Sequence, residues 1–411
     1  MTSRYAALSR SELATLLPEL LLIGQLMDRA GMPWCISAFG REEMAQIAIE
    51  EWSGASPVYT GRMQRALRFE ASGGQGDVVT IFKGLQLDIG APPQFMDFRY
   101  TVHDRWHGEF RLDHCGALMD VEPMGEDYVR SMCHDIEDPT FDATAVATNP
   151  KAQVRPVHRP PRSPGATGPH CAWTVTIDQS HPEVQPLPAY HHVAATCAAS
   201  VGLDPVDPSD EGLGDYSGPL LDDLSFADFS HSALVRMADE VCLQMHLLNL
   251  SFVHAVRGRC VEKSQWQEIC GKQLVGIAGI AAERIHRALS LPGGVAGALR
   301  VLALHPLLNP AAYVVASVSD ATVTVSRSPA HDDGAWIAGC GPSRPAPLQA
   351  VVRAVDPTLD VVVDGSATDW TLSVTTGNPS AKEPDEVAVT RFSTGASFEF
   401  EPRLSLPMSP V

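Results

Sequence analysis

The chain has 411 residues, 45% hydrophobic and 19% charged, a balance that excludes a disordered or membrane-spanning chain and predicts two globular domains. Acidic side chains outnumber basic ones 49 to 30, for a formal charge of −19. Such a surface repels phosphate backbones and anionic lipid, so nucleic-acid and membrane partners are not expected and a small molecule is.

Ser9 and Glu12 form an S-x-x-E capping box, and Leu13, Leu16, Leu17, Leu20 and Ile23 follow at helical spacing. The apolar run 16–23 is far short of the ~20 residues of a membrane span. Glu12 and Glu19 interrupt a secretory core, which makes a cytoplasmic location the expectation. A second helix is predicted over 42–52, stopped by Gly54 and Pro57, with Glu42, Glu43, Glu50 and Glu51 on a solvated face. A third carries Met63, Ala66, Leu67 and Phe69. After a break at Gly73, Gly74 and Gly76, with Asp77 as helix cap, come a short helix through Val79, Phe82 and Leu85, then alternating strands over 98–103 and 109–114. A helix over 126–136, a Pro-rich insert over 155–169 and a strand over 172–177 close a first module, 9–178.

A Pro-, Asp- and Gly-rich linker, 179–230, is expected to lie irregularly on the surface. The same order of elements then recurs over 231–379: helices at 232–256, 262–290 and 295–304, strands at 312–318 and 321–327, a helix at 346–355, and strands at 359–363 and 370–374. Gly276 and Gly279 predict close helix packing. Four short echoes support an internal duplication: Arg65-Ala66-Leu67 with Arg287-Ala288-Leu289, Asp138-Pro139-Thr140 with Asp356-Pro357-Thr358, Cys115-Gly116 with Cys340-Gly341, and Trp173-Thr174 with Trp370-Thr371. The expected fold is α+β: two similar domains, each a helical bundle with a small, mostly antiparallel sheet, forming a homodimer or a pseudo-dimer within one chain. The tail, 380–411, is predicted to add strands at 387–392 and 397–400.

The first module alone holds three His–Cys pairs: His114-Cys115, Cys133-His134 and His170-Cys171. Neighbours on a strand point to opposite faces, so each pair offers one residue to a common site. Three readings are open. Cys115, Cys133, Cys171 and His170 would hold a divalent metal such as zinc. Cys115 or Cys133 would be a nucleophile with His114 or His134 as base. Or the cysteines are buried packing residues in a reducing compartment. The second copy places Val351, Thr368 and Gly339 against Cys133, Cys171 and His114, which favours a site confined to the first module.

Cys115, Cys133, Pro160-Pro161-Arg162 and Cys171-Ala172-Trp173 together resemble the family named after L-2-amino-thiazoline-4-carboxylate hydrolase. The resemblance covers 9–178 and, more faintly, 232–376. It implies a hydrolase that opens a cyclic amidine or amide C–N bond, with Arg155 or Arg162 gripping a substrate carboxylate. A non-catalytic sensor or carrier of a small molecule or metal is the alternative reading.

Overall fold

The computed structural model describes residues 2–70, 76–163, 165–319 and 321–408. Gly73 and Gly74 of the expected break lie outside them. The first half runs α1 (Arg10–Phe39), α2 (Arg41–Ala66), α3 (Val78–Leu85), β1 (Met96–Asp104), β2 (His107–Cys115), α4 (Gly116–Val121), α5 (Glu126–Arg130), a π-helical turn (Ser131–Ile136), α6 (Glu137–Val146), β3 (Ala152–His158) and β4 (Cys171–Ile177). Two short helices follow, α7 (Pro188–Ala194) and α8 (Cys197–Ser200). The second half has α9 (His231–Arg257), α10 (Lys263–Ala288), α11 (Gly294–Leu304), β5 (Ala316–Val318), β6 (Thr322–Val325), α12 (Pro329–Asp333), α13 (Ala346–Val355), β7 (Asp360–Gly365), β8 (Trp370–Thr375) and α14 (Asp385–Thr390).

This is a mixed α/β fold with two four-stranded antiparallel sheets, ordered β1-β2-β4-β3 and β5-β6-β8-β7. The Ser9–Glu12 capping box forms as expected. In β2, Gly108, Phe110 and Leu112 turn inward while Glu109, Arg111 and Asp113 face water. Trp173, within β4, lies opposite Phe110, and Trp370, which opens β8, lies opposite Val325 in the corresponding strand pair. Arg65-Ala66 and Arg287-Ala288 both end the second long helix of their half.

The long helices of the two halves interleave, α1 on α9 and α10 and α2 on α9, around one continuous core. Two buried arginines cross between them. The Arg62 guanidinium, on α2, donates to both oxygens of Glu240 on α9 (2.9 and 3.2 Å) and to the carbonyls of Ala199 and Val201. Arg284, on α10, donates to Glu19 on α1 (2.6 Å) and to the carbonyls of Gly395, Ala396 and Phe398. The same two moves, helix to helix and then helix to the returning chain, are made in mirrored positions.

Several expectations need correction. Helix α2 runs unbroken through Gly54 and Pro57. Gly54 is a close-approach residue, because a Cβ there would collide with Ser251 and Ala189; its counterpart Gly276 meets Thr390 and Glu386. The helix packing that Gly276 and Gly279 signal is therefore against α14. The Pro-rich insert begins with strand β3, since Pro156 and its neighbours sit on a sheet edge where a missing N–H is tolerated. The linker holds α7 and α8 and buries Tyr216, Phe226 and Phe229, and Lys83 donates to the carbonyls of Tyr216 and Gly218. In the tail, 385–390 is helical and pairs with α10 instead of adding a strand.

Two echoes fail: Asp138-Pro139-Thr140 opens α6, whereas Asp356 ends α13; and Cys115 ends β2, whereas Cys340 lies well beyond β6, after a 3-10 turn. Val351 in mid-α13 and Gly339 in that turn are therefore not the counterparts of Cys133 and His114.

Glu240 has a second partner, Arg236 (2.8 Å), whereas among the described residues Arg284 is the only guanidinium bonded to Glu19, whose pKa burial already raises. Removing one member of a buried pair costs about 3–5 kcal/mol when the other charge is stranded. Arg284→Met should therefore lower the urea unfolding midpoint more than Arg62→Met, a ranking that paired denaturation curves will check.

Candidate functional site

Along α1 the apolar run ends in Asp28-Arg29, and both side chains are carried into the interior. Arg29 Nη2 meets Asp28 Oδ2 at 2.7 Å, and Trp52 Nε1 reaches Asp28 Oδ1 at 3.3 Å. Beside them on α2 is Glu51, fully buried, with no hydrogen bond to either carboxyl oxygen. Burial and the Asp28 charge push its pKa well up, against the pull of Arg29. The expectation of a solvated Glu51 is thus overturned. Glu43 and Glu50 do lie toward the surface and pair with Arg259.

Arg29, Trp52, Met132 and Ile136 line two adjoining cavities. The outer one, about 160 Å³, is faced by Met32, Ile36, Met44 and Phe392. The inner one, about 90 Å³, is faced by Gln25, Tyr59, Asp88 and Glu137. Asp88 accepts from Tyr59 Oη (2.9 Å) and from the Gly90 amide (2.7 Å), yet burial outweighs both bonds and raises its pKa to about 6. Glu137 is raised to about 8, first by burial and then by Asp138, against Arg159 and Arg29. Its Oε2 is shut from solvent without a partner, as is Nε of Arg29. The π-helical turn that supplies Met132 and Ile136 is a local widening of the kind that often marks functional sites.

The His–Cys pairs sit behind this site rather than in it, since none of the six residues lines either cavity. In each pair the cysteine is buried and the histidine half-buried. Cys115 caps α4, its sulfur accepting from the Leu118 amide at 3.3 Å. A helix N-terminus lowers a thiol pKa, but burial prevails and Cys115 is pushed up to about 12. Burial raises Cys133 and Cys171 further, and Glu137 and the neighbouring thiols add to it, so the three thiols share one electrostatic neighbourhood.

Nδ1 of His170 accepts from the Cys115 amide (3.1 Å), and burial lowers its pKa. His134 Nε2 bonds the Pro160 carbonyl (2.6 Å), and the His114 ring lies 5.7 Å from that of His170. The residues present do not fit a metal: among the described residues no group of three or more His, Cys, Asp or Glu is arranged to hold one, so Cys115, Cys133, Cys171 and His170 are not gathered into a ligand set. Arg155 is paired with Asp142 (2.9 Å) and Arg162 with Glu122 (3.1 Å). The unengaged guanidinium nitrogen at the cavities belongs to Arg29.

The second half differs at the matching positions. Counting along the helices from the two ion pairs, the residues at the spacing of Asp28 and Glu51 are Asn249 and Gln273, whose amides bond each other at 3.3 Å. Arg29 and Trp52 correspond to Leu250 and Leu274. Asp28-Arg29 at the end of an apolar helical run was the one sequence signal that pointed here. Glu51, Asp88 and Glu137 carried none, because their burial is created by elements distant in sequence.

Searches against protein-family models, curated proteins and solved structures found no match. No helix among the described residues is long and apolar enough to cross a membrane.

A thiol held above its usual range and away from water reacts slowly. Iodoacetamide at pH 8 should modify the partly exposed Cys260 and Cys197 first, leaving Cys115, Cys133 and Cys171 unlabelled until denaturant is added, as peptide mass mapping would report.

Proposed function

We propose that the first half is a small-molecule hydrolase in which two carboxyls at the Arg29 cavity, Asp88 and Glu137, act as general base and general acid. The observation that carries this reading is that both carboxyls line one small cavity together with an unengaged Arg29 nitrogen. Their environments push the two pKa values to about 6 and about 8. At neutral pH that pair comprises one base and one acid, the division of labour that hydrolysis needs.

In the proposed step Asp88 takes a proton from water as its oxygen attacks the substrate carbon, and Glu137 gives a proton to the departing nitrogen. One C–O bond forms and one C–N bond breaks. Arg29 holds the substrate's anionic group. The cyclic amidine or amide class of substrate rests on the family resemblance alone. The thiols and histidines of the three pairs have no step in this scheme: they build the wall behind Glu137.

We take the two halves to be copies of one module, a reading supported by the common strand order and by the mirrored arginines and glycines. In it the second copy has exchanged its buried charges for amides and leucines and works as the structural partner. A sensor or carrier is the second reading. It is favoured by the outer cavity, whose thioether and aromatic lining retains a small apolar group without any chemistry.

The base must be ionised and the acid protonated, so kcat/KM should rise through about pH 6 and fall through about pH 8. With a carboxylate-bearing cyclic amidine such as 2-amino-thiazoline-4-carboxylate as substrate, Asp88→Asn and Glu137→Gln should each cut kcat by about 10²–10⁴-fold. Cys133→Ser should leave turnover near wild type. Saturable binding without turnover would establish the carrier reading, and loss of turnover in Cys133→Ser would return the chemistry to the thiols.

A further inference from the structure

A second cavity lies in the second half, away from the acid–base site. It is an open groove of about 770 Å³ between the end of α9, the start of α10 and the chain that follows α12. That volume is in the range of sites for drug-sized ligands. Its lining includes two indoles, Trp266 and Trp336, together with Leu274 and Cys270. Three exposed cations, Arg257, Lys263 and Arg344, also line it, and none is ion-paired with a carboxylate among the described residues. In a chain of formal charge −19, where most arginines are paired, a cluster of free cations over an aromatic groove is an exception.

Two further features call for acceptor atoms. The Trp336 N–H is buried with no acceptor, in a residue 3% exposed, and His331 Nε2 is likewise unpartnered; both residues line the groove. Among the described residues no side chain caps the N-terminus of the 26-residue helix α10, and its N-cap residue Glu262 and first residue Lys263 border the groove. Free amides and the helix dipole at that end favour negative charge. In the first half the corresponding helix start is covered: Arg41, the first residue of α2, donates to Ser131 (2.8 Å) and to the Asp127 carbonyl. In the second half that space is open.

We propose that this groove binds an organic anion with a planar apolar body, its ring system against Trp266 and Trp336 and its anionic group toward Arg257, Lys263 and Arg344. The inference is independent of the first-half chemistry.

The probe pair is 8-anilinonaphthalene-1-sulfonate and N-phenyl-1-naphthylamine, the same aromatic body with and without the sulfonate, titrated into the full chain by fluorescence. One saturable sulfonate site per chain is expected. Charge reversal at Arg257, Lys263 and Arg344 together, all exposed and checked for folding by circular dichroism, should weaken it by about tenfold or more, as loss of a charge-assisted contact does. The uncharged probe should be little affected. Gly271→Phe should block both probes, because a Cβ at Gly271 meets nothing within 4 Å and the ring would fill the groove rather than strain the helix. No saturable sulfonate site, equal affinity in the charge-reversed protein, or full binding in Gly271→Phe would each overturn the proposal.

Discussion

Two guanidinium groups placed deep between helices set the terms for everything around them. Burying Arg62 and Arg284 costs several kcal/mol of desolvation apiece, which an ion pair alone seldom recovers. Each arginine offsets it by spending further donors on main-chain carbonyls: Ala199 and Val201 for one, and Gly395, Ala396 and Phe398 for the other. Those carbonyls belong to the chain returning from β4 and from β8, so the two clamps tie the end of each half onto the helices. Residues Gly54 and Gly276 then let α7 and α14 approach to backbone distance. The outer cavity inherits its Phe392 wall from this arrangement.

Within that frame the two halves place different residues at equal spacing from the two ion pairs. The first keeps Asp28, Arg29 and Glu51 in its interior and leaves atoms of Arg29, Glu51 and Glu137 without hydrogen bonds. Such groups reduce stability and are retained where they bind or react. The second half has Asn249 and Gln273, neutral and bonded to one another, at the matching positions. Its open groove borders the start of α10, whereas Arg41 at the start of α2 is bonded to Ser131 and Asp127.

Local signals were legible in the sequence where local physics decides. The Ser9 capping box, the alternation in β1 and β2, the Arg-Ala-Leu helix ends and the placement of Trp173 and Trp370 in their sheets were all readable. Glycine misled, because the residue that ends a helix in water also lets two helices touch, and only the partner distinguishes the cases. The His–Cys pairs drew attention by their chemistry, yet burial raises the pKa of all three thiols. The short echoes at Asp138 and Cys340 failed because three- to five-residue matches carry no information about register. The site itself was least legible: Glu51 sits among solvated glutamates in sequence, and α9 and the chain after β2 bury it.

The proposed acid–base site requires Glu137 to be a neutral acid at physiological pH, poised to give up its proton. The most direct measurement is infrared difference spectroscopy of wild-type protein against Glu137→Gln, followed from pH 5 to pH 10. The protonated carboxyl band assigned to Glu137 should persist at pH 7 and be lost with a midpoint near 8. A midpoint in the ordinary carboxylate range, about 4 to 5, would mean that Glu137 is ionised at neutral pH and would contradict the acid–base site.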